Sequence, residues 1–222
     1  MTRAGPPKAV VFDLDGTLID SLPVVLRAIA FALEPYGSRP TAEIFGHLGG
    51  PPERFLLTLL SDPKDLPDAL DRMLRFHGEH WNTIQPFDGV RGFLEQLRAA
   101  EVAMAIWTGR DRDSTGRLMS QLGLTPFFAT VLCGDDLATH KPDPEGLREI
   151  MRRLRVTANE TVFVGDADVD VFGGVACGVD TILIRHERMI ADATLGQSWQ
   201  HVATPHEALE LVRRCLKRVE PA

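Results

Sequence analysis

Short, almost wholly apolar runs recur along this chain at Ala9–Phe12, Val102–Trp107, Thr130–Cys133, Thr161–Val164 and Thr181–Ile184. A strand that is apolar on both faces is buried on both faces, and that arrangement belongs to a parallel sheet covered by helices. Helix-period segments lie between most of the runs, at Val90–Ala100, Asp113–Leu122, Pro144–Leu154 and Val169–Cys177. The alternation predicts an α/β fold with a Rossmann-like parallel sheet core. Pro205–Val219 reads as a closing amphipathic helix, with Leu209, Val212 and Leu216 along one face.

The rhythm fails once. From Leu22 to about Gln85 there is no convincing strand, only helix-like patterns at Leu22–Leu33, Thr41–Leu48, Glu53–Leu60 and Leu66–Trp81. Pro35, Gly37, Gly49-Gly50-Pro51-Pro52 and Pro63 punctuate them. A helical stretch placed just after the first strand predicts an inserted α-helical domain over residues 21–86. The core domain is then residues 1–20 and 87–222, with hinges near Asp20–Pro23 and Gln85–Gly89. A length of 222 residues suits one core and a modest insert.

Charge and cysteine usage narrow the partners. With 24 Lys and Arg against 31 Asp and Glu, the net charge is −7 and no basic run stands out. Nucleic acid and anionic membranes are therefore not expected as partners. The start, MTRAGPPKA, has no apolar core of a signal peptide, and no stretch approaches the roughly 18 apolar residues of a spanning helix. Cys133, Cys177 and Cys215 are far apart and lack CxxC spacing, which argues against disulfides and fits a reducing cytoplasm. No heptad seam is present, so monomer and homodimer both stay open.

In an open parallel sheet, ligands bind beyond the carboxyl ends of the strands. Asp13, Leu14, Asp15, Gly16 and Thr17 follow the first strand, and Thr108, Gly109 and Arg110 follow the second. His140-Lys141-Pro142-Asp143 comes after the third, and Gly165-Asp166-Ala167-Asp168-Val169-Asp170 after the fourth. Carboxylates, a hydroxyl and a lysine thus gather on one edge. Carboxylates held close repel unless a cation sits among them. An oxygen-only cluster suits Mg²⁺, which takes one or two carboxylates plus substrate oxygens. Lys141 and Thr108 can then donate to a phosphoryl group, Asp13 can attack phosphorus, and Asp15 can move the proton.

Four stretches, "DLDGTLID", "AIWTG", "HKPDP" and "VFVGDADVD", in this order and each behind a strand, resemble the motifs of the haloacid dehalogenase-like superfamily. Within it the chain is most similar to phosphatases with a helical cap, the phosphoglycolate phosphatase-like and beta-phosphoglucomutase-like members. The resemblance implies Asp13 as nucleophile and Asp15 as general acid and base. It implies Mg²⁺ held by the Asp13 side chain, the Asp15 backbone carbonyl and Asp166. Thr108, the Gly109 backbone N–H and Lys141 would hold phosphate, and Asp170 would orient Lys141 or a metal-bound water. An aspartate at position 15 favours phosphate-ester chemistry over carbon–halogen or phosphonate cleavage. His47 and Arg54, in a stretch similar to a substrate-touching cap segment, are candidate substrate contacts. Two features depart from the pattern. Arg110 either reads a substrate anion or faces water, and Asp168 either joins the metal's outer shell or caps a helix. The expected function is a Mg²⁺-dependent phosphatase acting on a small phosphate ester through an aspartyl-phosphate. The alternatives are a phosphomutase and a non-enzymatic metal- or phosphate-binding regulator.

Overall fold

The structure, a computed structural model, describes residues 5–39, 52–186, 188 and 190–217. The chain divides into two compact units, Met1–Ile19 with Pro86–Ala222, and Asp20–Gln85. The larger unit is built on a six-stranded sheet in the order β5-β4-β1-β6-β7-β8. Its strands are β1 (Ala9–Phe12), β4 (Ala103–Trp107), β5 (Thr130–Leu132), β6 (Thr161–Gly165), β7 (Asp180–Ile184) and β8 (Gln200–Val202). Every neighbouring pair is parallel.

The alternating side chains of β1 show why its run is unbroken by polar residues. Val11 packs in one cluster with Ala105, Phe163 and with Leu147 and Ile150 of α6 (Glu145–Leu154). Phe12 points the other way and meets Phe93 of α4 (Val90–Ala99) edge-on at 6.2 Å. Ala9 to Phe12 are all fully buried, as a central strand between two helical layers must be. The remaining helices of this unit are α5 (Arg112–Gln121), α7 (Asp168–Cys177), α8 (Asp192–Gln197) and α9 (Pro205–Lys217).

The smaller unit is helical: α1 (Leu22–Leu33), α2 (Pro52–Leu59) and α3 (Leu66–His80). It has its own core, in which Ala28, Ile29, Ala32 and Leu33 meet Phe55, Leu56, Ala69 and Met73. Across it, Arg72 Nη2 donates to the carbonyl of Phe31 at 2.9 Å. The helix expected at Thr41–Leu48 lies outside the described residues. A separate two-stranded sheet pairs β2 (Ile19–Asp20) with β3 (Gln85–Pro86), where the chain passes between the units.

Two elements of the larger unit go beyond the sequence expectation. The strand β8 is Gln200-His201-Val202, two of whose residues are exposed. An edge strand this short and polar carries neither an apolar run nor a clean alternation. The helix α8, only six residues long, is likewise too short to show a period.

Candidate active site

The order of the sheet locates the site. From β1 the chain builds outward through β4 and β5, then crosses to the other side of β1 for β6, β7 and β8. Such a reversal opens a crevice beyond the carboxyl end of the central strand. The register sets Phe12 level with Ile106 and with Val164, so Asp13 comes level with Trp107 and Gly165. The Asp13 N–H still pairs with the Val164 carbonyl at 2.8 Å, which holds the residue in the sheet. The chain then turns sharply through Gly16, at φ 74°, a left-handed conformation that favours glycine. A Cβ at this position would also lie 2.3 Å from Asp166 Oδ2.

Lys141 is the centre of the charge arrangement. Its ammonium donates to Asp13 Oδ1 and to Asp170 Oδ1, each at 2.7 Å. The three side chains are 8%, 11% and 1% exposed, so the trio is desolvated. Burial works against the lysine's charge, but the carboxylates of Asp13 and Asp170 overcome it and hold the ammonium well above its ordinary value. Asp170 reaches back from the first turn of α7, where its Oδ2 accepts from the N–H of Asp166 and of Ala167 at 3.1 and 3.0 Å. It thereby satisfies two donors at that helix end. The expectation that Asp170 orients Lys141 has this direct contact beside it.

Asp13, Asp166 and Asp170 each bring a carboxylate oxygen within 4.8 Å of the others. Burial raises the proton affinity of Asp13, and the charges of Asp170 and Asp166 raise it further against the pull of Lys141. Burial likewise pushes Asp166 up to about 7, against the opposing charge of Arg188. These donors fit a hard divalent cation: they are all oxygen, two are buried and Asp166 half-buried, and three carboxylates face two cations, Lys141 and Arg188. Asp170 already uses both oxygens, on Lys141 and on two backbone N–H groups. Asp13 and Asp166 are therefore the side chains with capacity left for Mg²⁺.

Asp15 lies two residues on, and its carboxylate is outside that trio. Arg110 grips it from both sides, Nε to Oδ2 at 3.1 Å and Nη2 to Oδ1 at 2.5 Å. The Arg110 side chain is only 11% exposed, so it does not face water, and its partner is the protein's own carboxylate. Its backbone N–H also donates to Thr108 Oγ1 at 3.1 Å, which ties the second loop to the hydroxyl. Thr108 is buried, and its own N–H bonds to the Leu132 carbonyl at 3.0 Å. Gly109 is exposed beside it. Asp168 is the first residue of α7, behind an N-cap that is Ala167, so it does not cap the helix. It is also outside the group of three carboxylates. Arg54 lies on α2, and its side chain is outside the described residues, as is the whole of His47.

The sequence expectation leaves out the loop after β7, although the same strand-end rule applies to it. There Arg188 Nη2 donates to the Asp166 backbone carbonyl, and to Asp166 Oδ2 at 2.8 Å. His186 Nε2 donates to the Gly16 carbonyl at 2.7 Å. Polar residues directly following the apolar run Thr181–Ile184 were the available signal.

Comparison with known proteins agrees with this geometry. The family described as haloacid dehalogenase-like hydrolase matches residues 10–184. A phosphoglycolate phosphatase of Cupriavidus necator is 33% identical over 189 residues, covering 82% of each chain. A phosphorylated carbohydrates phosphatase of Thermotoga maritima is 26% identical, covering 94% of this chain and 100% of that one. The solved structure of a predicted phosphoglycolate phosphatase from Haemophilus somnus superposes with a TM-score of 0.79 at 19% identity, covering 92% of this chain and 97% of that one. The chain belongs to the haloacid dehalogenase-like hydrolase family, among its phosphatases.

Proposed function

We propose that this hydrolase cleaves a small phosphorylated metabolite, a phosphoglycolate-like or sugar phosphate ester, through an aspartyl-phosphate on Asp13 and with Mg²⁺ as cofactor. The observation that carries the reading is the meeting of Asp13, Lys141 and Asp166 from three separate loops at one sheet edge. The names of the relatives, phosphoglycolate phosphatase and phosphorylated carbohydrates phosphatase, supply the substrate class.

Asp13 is fixed by the strand pairing of its N–H and by Lys141 on one of its oxygens. It attacks phosphorus as a carboxylate while the ester P–O bond breaks, and Asp15 gives its proton to the departing oxygen. In the second half Asp15 takes a proton from water, which attacks phosphorus, releases phosphate and restores Asp13. Thr108, the Gly109 N–H and Lys141 would donate to the phosphoryl oxygens. Asp13, Asp166 and the Asp15 backbone carbonyl would hold Mg²⁺, which when bound neutralises phosphoryl charge. Arg110 must slacken its hold for Asp15 to act on the leaving group, since both carboxylate oxygens are engaged. The helical unit, through His47 and Arg54, is the part we assign to substrate selection.

The test is phosphate release from a panel of phosphate esters, including 2-phosphoglycolate and sugar phosphates, with Mg²⁺ and then with EDTA. EDTA-sensitive release without a bisphosphate activator is expected. Silence across the whole panel would favour a metal- or phosphate-binding regulator, and phosphoryl transfer to a sugar hydroxyl in place of release would favour a mutase.

A further inference from the structure

Beyond β7, Arg188 comes against the acidic cluster and pairs with Asp166. Arg188 is nearly buried, at 10% side-chain exposure, and its guanidinium is anchored within its own turn. Its N–H and its Nε both donate to the Arg185 carbonyl, at 3.2 and 3.3 Å. From that anchor Nη2 takes the backbone carbonyl and Oδ2 of Asp166 together. Asp166 is held on its other side as well, its N–H donating to Asp170 Oδ2 at 3.1 Å. Backbone donor, backbone acceptor and one carboxylate oxygen are thus all occupied. Among the described residues, nothing bonds Asp166 Oδ1, and that carboxylate belongs to the trio within 4.8 Å.

We infer that Arg188 is a positioning residue for the cation site, holding Asp166 by its carbonyl and Oδ2 so that Oδ1 is the oxygen offered to the metal. A carboxylate ligand left to rotate must be ordered when the cation binds, whereas one already gripped by a neighbour is ordered in advance. Groups that hydrogen-bond metal ligands commonly alter affinity by about 10–100-fold when removed. The opposite sign is also physically available, because a guanidinium resting on a ligand carboxylate could compete with the cation for it. The grip on the backbone carbonyl decides between them. A competitor needs only the carboxylate, while a clamp that fixes the side chain's direction takes hold of the main chain too.

The inference rests on the metal-dependent reading, so the measurement separates the two. Mg²⁺ binding to the full chain is followed by isothermal titration calorimetry at neutral pH, without substrate, for wild type, R188Q and R188K. Circular dichroism and a thermal melt of the metal-free proteins accompany it. R188Q is expected to bind Mg²⁺ about 10–100-fold more weakly, with R188K between the two because a lysine keeps the charge on Asp166 but has no Nε to anchor it on the Arg185 carbonyl. A structural role alone would lower the melting temperature and leave the Mg²⁺ affinity of the folded protein unchanged. Equal or tighter binding by folded R188Q overturns the inference and leaves the phosphatase reading standing. If R188Q does not fold, wild-type affinity in R188K overturns it instead. Failure of wild type to bind Mg²⁺ at all removes the metal reading and this inference with it.

Discussion

At the scale of single residues, the site is a problem of charge balance. Lys141 sits between two carboxylates with almost no water to share the load. Removing it leaves Asp13 and Asp170 buried without their cation, and breaking a buried pair from one side costs about 3–5 kcal/mol. Lys141→Met should therefore lower the urea midpoint of the metal-free protein sharply, as well as slow turnover. Equal stability would mean the trio is solvated in practice. For Asp15 the cost falls on chemistry: Asp15→Asn should reduce phosphate release by about 10²–10⁴-fold with the circular dichroism spectrum unchanged. Asp13, Asp15, Thr108, Asp166 and Asp170 could be named as candidates from the sequence because each lies within six positions of the end of an apolar run; Lys141 follows its run by eight. The Arg110–Asp15 grip was not, because the partners are 95 positions apart and meet only through the shapes of two loops. Arg188 itself follows the apolar run Thr181–Ile184 and was within reach of the strand-end rule; its pairing with Asp166, 22 positions away, was not.

Among the elements, local devices mark both ends of β6. Before β6, Glu160 accepts from the Thr157 N–H and hydroxyl, both at 2.9 Å, and pairs with Lys8 at 2.5 Å. The Lys8 ammonium and then the Thr157 donors pull its carboxyl down to about 2. A depressed carboxyl contributes stability above its unfolded value near 4.3 and loses it as pH falls through the folded value. The melting temperatures of wild type and Glu160→Gln should thus differ most at pH above about 5 and converge as acid is added. A constant gap would show that charge is not the source. Gly165 ends β6 under α7, and a Cβ there would lie 2.4 Å from the Asp170 carboxylate. Gly165→Ala is expected to cost about 1–3 kcal/mol, the range of overpacked cores, as read from chemical denaturation. Strands β1, β4, β6 and β7 were legible because burial on both faces demands an unbroken apolar run. At the sheet's edges that demand lapses: β5 still carries the apolar run Thr130–Cys133, but β8, with two of its three residues exposed, carries none.

Across the whole molecule, each unit has a core of its own among the described residues. The sheet unit closes around residues such as Val11, Phe163 and Leu147, and the helical unit around Ile29, Leu56 and Met73. The passages between them are paired as β2 and β3, and next to them the Phe87 N–H donates to the Leu18 carbonyl at 3.0 Å. A short Gly-Ser link replacing the residues of the helical unit, Asp20–Gln85, therefore needs to span little distance. The shortened chain should still unfold in one cooperative transition by circular dichroism, while losing discrimination among phosphate esters. A molten spectrum would show that the sheet unit depends on the insert. The acidic balance of −7 agrees with a small-molecule role, and no described helix is long and apolar enough to cross a membrane. Alternation of strand and helix made this architecture legible. Substrate choice, which we assign to the helical unit, was not, because no pattern encodes the distances between its side chains.

The account turns on a covalent bond between phosphorus and one carboxylate. Wild-type protein mixed with a turned-over phosphate ester and Mg²⁺, quenched in acid within a single turnover and digested, can be searched by mass spectrometry for that bond. The peptide carrying Asp13 should hold a phosphoryl group that is absent when EDTA precedes substrate and absent in Asp13→Asn. Steady phosphate release from a protein that never carries phosphate on that peptide, or undiminished release by Asp13→Asn, would contradict it.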